Sequence, residues 1–172
     1  FRSDVRIVIL SEYGLTEAKR TIHPNRILRK KGWLNLKNEL GLEYLDCGGS
    51  AAFALTDHQV AHVYLNRKDD AFRFQVLAEL EKIDGIARIL HGEERKAHGL
   101  DHERAGDFVL LAEEDAWFVY YHWLDDALAP DFARCVDVHR KYGYDPAELF
   151  LDPSIPFPFL KVAGKLLAKK LG

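Results

Sequence analysis

The segment VRIVILSEYG, Val5 to Gly14, constrains the fold more than any other stretch. Five of its first six residues are apolar, Arg6 being the exception, and it then breaks into Ser11-Glu12-Tyr13-Gly14. An almost unbroken apolar run is the pattern of a strand buried on both faces, as in sheets covered by helices. Open α/β sheets place ligands at the carboxyl ends of such strands. The segment therefore predicts a sheet strand over Val5–Leu10 that delivers a polar turn to a ligand site. In that turn Glu12 is a hard oxygen donor suited to a divalent cation. Tyr13 could hydrogen-bond a phosphate or a water. The competing reading is a plain turn, with Ser11 as its cap and Glu12 solvated.

A chain of 172 residues suits one domain with a substantial core. A net charge of −3, from 24 basic and 27 acidic residues, argues against bulk nucleic-acid binding. No apolar run is long enough to span a bilayer, and no secretory signal is visible. The two cysteines, Cys47 and Cys135, lack a paired spacing and read as reduced thiols of a cytoplasmic protein, or as a single disulfide that the sequence does not establish. The sequence opens on Phe1, almost directly on the apolar run, and contains no Met. The expectation is a single fragment, 1–172, of a longer domain. Apolar surface left without neighbours could then make it dimerise.

Further along, Pro24-Asn25 predicts a helix start and Gly32 its end. GWLNLK and EYLD are short strand candidates, and CGGS, Cys47–Ser50, is a turn. A clearer α+β unit spans about 51–121. AFAL and AHVYLN are strand-like, and AFRFQVLAELEKIDG is a helix burying Phe72, Val76, Leu80 and Ile83, with Gly85 as its C-cap. IARIL is a strand, and GDFVLLAEEDAWFVYY reads as a hairpin turning at Glu113-Glu114-Asp115. The fold class is α/β, with part of a main sheet and a strand-helix-strand-hairpin unit. Asp145-Pro146-Ala147-Glu148 reads as a helix start. LKVAGKLLAKKLG is a terminal surface helix with a lysine face, and no membrane contact is assigned to it.

Three constellations could carry chemistry. One is the Glu12–Tyr13 turn. The second is DHQVAH. On a strand, His58 and His62 would stand ~13 Å apart, too far to share one zinc. At most one of them, with Asp57, joins a given site; the competing role for each is a half-buried, hydrogen-bonded histidine. The third is VDVHRKYGYDP. In an extended segment Asp137 and His139 point the same way and form a reasonable ligand pair. Arg140 beside them could neutralise a phosphate, and Tyr142 could wall a pocket. HGEERKAHGLDHERAGD, with His91, His98 and His102, reads as a solvated helix or loop. There is no Gly-rich phosphate loop, no G-x-S-x-G and no cysteine zinc cluster.

VRIVILSEYG, NRILRKKGWL, SAAFALTDHQVAHVYLN, IDGIARIL and HERAGDFVLLAEEDAWF, in this order, resemble the C-terminal part of the alkaline phosphatase superfamily. The branch resembled is the type I phosphodiesterase / nucleotide pyrophosphatase group. The resemblance implies a partial alkaline-phosphatase-like sheet and a metal-dependent hydrolase of phosphate esters. In that family two divalent ions, often zinc, activate a Thr or Ser nucleophile and hold the phosphoryl oxygens. An Asp-His pair in an SDHG turn supplies ligands to one ion. SEYG resembles that turn, with Glu12 at the position of the Asp and Tyr13 at that of the His. Glu can still ligate, whereas a phenol with a pKa near 10 is a poor zinc ligand at neutral pH.

The expected metal set is therefore Glu12, Asp137, His139, Asp57 and His58, with zinc as the first choice and manganese as the second. Tyr13, Arg140 and Tyr142 are the expected substrate contacts. The expected partner is a small phosphorylated molecule, such as a nucleotide or phosphodiester. The isolated chain is expected to be inactive. The alternative is a non-catalytic binding or capping module derived from the same family.

Overall fold

Two six-residue runs of alternating burial build the centre of the protein. They are β4, Ala52–Asp57, and β5, Val60–Leu65, where Ala52, Ala54, Ala61, Val63 and Leu65 all point inward. The strands pair antiparallel, with Ala54 opposite Val63 and Leu55 opposite His62. The structure, a computed structural model, describes residues 6–11, 14, 16–135 and 156–171. β6, Ile86–Leu90, and β7, Phe108–Ala112, complete a four-stranded antiparallel sheet in the order β4-β5-β7-β6. The helix α2, Asp70–Leu80, buries Phe72, Val76 and Leu80 in the sheet's core cluster. Asp69 caps it by accepting from the Phe72 amide at 2.9 Å.

The predicted strands GWLNLK and EYLD form a separate hairpin, β2, Asn35–Glu39, and β3, Leu42–Asp46. Its tight turn puts Leu40 and Gly41 at φ 52° and 84°. Ahead of it lies α1, Pro24–Lys30, with Gly32 at φ 73° just past its end. Two short strands, β1, Arg20–Ile22, and β8, Ala116–Phe118, pair parallel, with Thr21 opposite Trp117. A short helix, α3, Gly92–Ala97, lies between β6 and β7; a 3₁₀ turn over Asp126–Leu128, α4, Asp131–Cys135, and α5, Pro158–Leu171, follow. This is the mixed α/β class expected from the sequence.

Three local expectations are corrected. The hairpin read across Glu113–Asp115 does not form. β7 already has β5 on one hydrogen-bonding edge and β6 on the other, so β8 has no free edge there and pairs with β1. Gly85 is not the cap of α2, which ends at Leu80 with Glu81 as its C-cap. Gly85 instead lies at φ 88° against β1 and β8, where a Cβ would meet Ile22 and Ala116 at 3.1 and 3.3 Å. The strand expected over Val5–Leu10 is absent from described residues 6–10, and Ile7, Val8, Ile9 and Leu10 are 72–92% exposed. A strand needs a neighbour to take its backbone hydrogen bonds, and no described strand pairs with this run.

β4 is an edge strand of the sheet, and Asn25 of α1 closes that edge. The Asn25 side chain, 1% exposed, donates to the Ala54 carbonyl at 2.9 Å and accepts from the Ala54 amide at 2.7 Å. Its carboxamide acts as one rung of a missing strand. Replacing it by leucine leaves both backbone groups buried and unpaired. We expect Asn25→Leu to lose about 2–4 kcal/mol in urea unfolding. A loss below about 0.5 kcal/mol would show that the edge is satisfied in another way.

Candidate functional site

The two residues joining β4 to β5 are His58 and Gln59, so Asp57 and His58 sit at a hairpin tip. A two-residue hairpin connection needs a positive φ, usually supplied by glycine or asparagine. Here His58 supplies it at φ 52°. A non-glycine residue held there costs on the order of 1–3 kcal/mol, and such strain clusters at functional sites. The His58 Nε2 lies 3.4 Å from Asp57 Oδ1, and both side chains are well exposed. The His58 ring meets the Trp117 ring edge-on, with centroids 4.5 Å apart.

Gln59 fixes this tip. Its Nε2 donates to the carbonyls of Glu113 and Glu114 at 3.1 and 3.0 Å, and lies 3.4 Å from that of Ala116. The backbone adds two more links. The Phe118 amide donates to the His58 carbonyl at 2.8 Å and the Ala112 amide to the Gln59 carbonyl at 2.9 Å. The same 113–116 turn also holds the segment from Thr16 to Arg20. Thr16 Oγ1 donates to the Glu114 carbonyl at 3.1 Å, the oxygen that also accepts from Gln59. The Lys19 and Arg20 amides both donate to the Asp115 carbonyl. The Arg20 guanidinium gathers Asp84, Glu113 and Asp115. Those three carboxylates hold it firmly protonated, and Arg20 in turn keeps Asp115 below the usual carboxylate range. A cleft of about 540 Å³ lies between the two segments, lined by Thr16, Glu17, Lys19 and Glu113–Asp115.

The structure thus ties the Thr16–Arg20 segment and the Asp57–His58 tip to one support. Glu12, Tyr13, Asp137, His139, Arg140 and Tyr142 lie outside the described residues, as does the helix start read at Asp145. Asp57 and His58 supply one oxygen and one nitrogen donor. Among the described residues no group of three His, Cys, Asp or Glu side chains is placed to hold a metal ion. These two donors alone do not make a zinc site.

His62 faces a different environment from His58. It lies within β5, its Nδ1 accepts from the Gly106 amide at 3.0 Å, and its ring stacks near Tyr64. The half-buried, hydrogen-bonded role expected of both histidines is that of His62 alone. Gln59, Trp117 and Arg20 carry the site's geometry and had no signal in the sequence, since each acts through a contact 54 or more residues away.

A family model described as type I phosphodiesterase / nucleotide pyrophosphatase matches residues 1–145. The chain belongs to this family. It shares that family's hydrolase ancestry, as the order of its motifs implied. No curated protein matches the sequence. Solved structures that resemble it include two of phosphonoacetate hydrolase from Sinorhizobium meliloti 1021. The complex with phosphonoformate is 23% identical, with a TM-score of 0.44 over 64% of this chain and 26% of that one. The complex with phosphonoacetate is 23% identical, with a TM-score of 0.43 over 63% of this chain and 27% of that one. This phosphodiesterase-family chain spans about a quarter of the length of those structures. No helix among its described residues is long and apolar enough to cross a membrane.

Three half-buried or buried histidines give the fold a pH dependence. Burial lowers the pKa of His23, with Arg26 adding to it, and lowers that of His62, with Arg95 adding to it. Burial also lowers His122, against the opposing pull of its bond to the Glu43 carbonyl. Unfolded, these imidazoles titrate near 6.5. Between that value and their lower folded values the unfolded chain binds more protons, so stability rises with pH across this window. The contribution is complete above about pH 6.5 and is lost as pH falls towards the folded values. We expect the melting temperature to drop between pH 7.5 and pH 5, with His62 and His122 titrating below 6.5 by NMR. Midpoints above 6.5 would contradict this.

Proposed function

We propose that the chain is a portion of a metal-dependent hydrolase of phosphodiester or pyrophosphate bonds, with its site at the Ser11–Gly14 turn. The family match over residues 1–145 carries this reading. The shared support of Thr16 and Gln59 on the Glu114 carbonyl favours it, because it ties the segment from Thr16 onward and the residue next to His58 to one oxygen. In this reading Glu12 is a metal ligand, and Asp137, His139, Asp57 and His58 are the further donors. The group supplied by the bound cation, zinc first and manganese second, is a Lewis acid for the phosphoryl oxygens. Arg140 offers a cation to the same oxygens, while Tyr13 and Tyr142 flank the substrate, a nucleotide or another small phosphodiester. The setting is cytoplasmic.

The isolated 172-residue chain is proposed to be inactive, since no Ser or Thr in it stands in a recognisable nucleophile setting. A second reading, a binding or capping module that hydrolyses nothing, is favoured by one observation. Tyr13 stands where the related turn carries histidine, and a neutral phenol is a weak zinc ligand.

Both readings are tested with the chain as it is. Bis(4-nitrophenyl) phosphate should not be turned over, with or without Zn²⁺ or Mn²⁺. Turnover abolished by a chelator would overturn the inactivity. Paramagnetic Mn²⁺ should broaden the amide resonances of Ser11, Gly14 and His58 selectively and saturably. Uniform broadening across the acidic surface would favour the module.

A further inference from the structure

The outer face of the four-stranded sheet carries a second cavity, of about 330 Å³. It lies at the far end of the β4–β5 ladder from Asp57 and His58. There Phe53 pairs with Tyr64, four rungs from the Asp57–Val60 pair. The Phe53 and Tyr64 rings stack with centroids 5.2 Å apart and planes 16° from parallel. Both are half-buried and form an aromatic wall. Lys68, Arg95, His102 and Asp107 line the remainder, with Glu103 exposed at the rim.

Lys68 and Arg95 of the lining balance Glu103 and Asp107 in formal charge, but the ion pairing is uneven. Asp107 is already saturated. It accepts from Lys68 Nζ at 2.9 Å, from Arg73 at 2.9 Å and from the Leu65 amide at 2.8 Å. Burial alone would raise its pKa, but these donors hold it below the usual carboxylate range. One carboxylate therefore answers two cations. Arg95 is a third cation, and among the described residues no carboxylate pairs with it. Its Nη1 donates to the Gly106 carbonyl, and its Nε is buried with no hydrogen-bond partner. His62 beside it carries no negative charge in either protonation state, and its Nδ1 already accepts from the Gly106 amide. A buried guanidinium N–H left unpaired leaves its desolvation uncompensated. An anionic oxygen in the cavity would give the guanidinium the countercharge it lacks, through a charge-assisted bond. The wall beside it favours a flat ring, and the volume suits one ring with one charged group.

We propose that this cavity is a binding site for a small anion bearing a planar ring, with the ring against Phe53 and Tyr64 and the anionic group on Arg95. The site is independent of the hydrolase reading, because it shares no residue with the Glu113–Ala116 support or the Asp57–His58 tip. Such a ligand rigidifies the 92–106 segment, which crosses this face through the Gly106 amide bond to His62 and the Arg104 carbonyl bond from the Tyr64 hydroxyl.

The test is an NMR titration of the chain with phenylphosphonate, which cannot be hydrolysed as an ester. Methylphosphonate supplies the anion without the ring, and benzyl alcohol supplies the ring without the charge. Phenylphosphonate should shift the Arg95 Nε–H and Tyr64 resonances saturably. Each single-feature probe should bind at least ~10-fold more weakly, and Arg95→Gln should lose about tenfold in affinity. Equal binding of methylphosphonate, unchanged binding in Arg95→Gln, or no saturable shift at these two residues would overturn the proposal. The probe comparison uses the unaltered chain, so it stands even where Arg95→Gln fails to fold.

Discussion

One buried carboxamide ties the short helix α1 to the open edge of the four-stranded sheet. Asn25 offers a donor and an acceptor to the two Ala54 backbone groups that an edge strand would otherwise leave unpaired. An edge left open inside a core is costly, because each buried backbone group needs a partner. By filling it, Asn25 fixes α1 against the sheet, and α1 then fixes what lies outside the sheet. Arg29, one turn further on, makes a two-pronged bond to Glu43 of β3 at 2.6 and 2.7 Å. The same guanidinium reaches the His122 carbonyl at 3.2 Å, and Arg26 reaches the Trp123 carbonyl at 2.7 Å. The second hairpin and the aromatic 120–123 segment are thus carried by one short helix.

The 113–116 turn plays the corresponding part at the candidate site. Its carbonyls accept from Thr16, Lys19, Arg20 and Gln59, which come from two segments about 40 residues apart in sequence. Its carboxylates would repel one another without Arg20 among them. The tip residue His58 accepts a positive φ in exchange for a place beside Trp117. This is a local rule broken where the functional reading puts chemistry, which is where such breaks are expected.

Patterns read from neighbours in sequence survive in the structure. Alternation gave β4 and β5, the 3.6-residue stripe gave the buried face of α2, and Pro24 and Gly32 bracketed α1. Properties set by distant partners did not show. β8 reads as the return strand of a hairpin, and only the crowding of β7 by β5 and β6 sends it to β1. The apolar run at Ile7–Leu10 reads as a strand, but a strand is made by its neighbours. Asn25 reads as a polar residue at a helix start, and its partner Ala54 lies 29 residues on. Of the candidate site, Asp57 and His58 were legible as chemistry-bearing types, while the Gln59 anchor that orients them was not. The sequence order of motifs, rather than any single residue, carried the family assignment.

The measurement that bears most directly on the hydrolase reading is calorimetric titration of the chelator-stripped chain with Zn²⁺ and with Mn²⁺, repeated on Glu12→Gln and His139→Ala. The account predicts saturable binding in the micromolar range, weakened at least about tenfold in each variant. Heats that do not saturate, or an affinity that both variants keep, would contradict it and leave the Ser11–Gly14 turn as a turn alone.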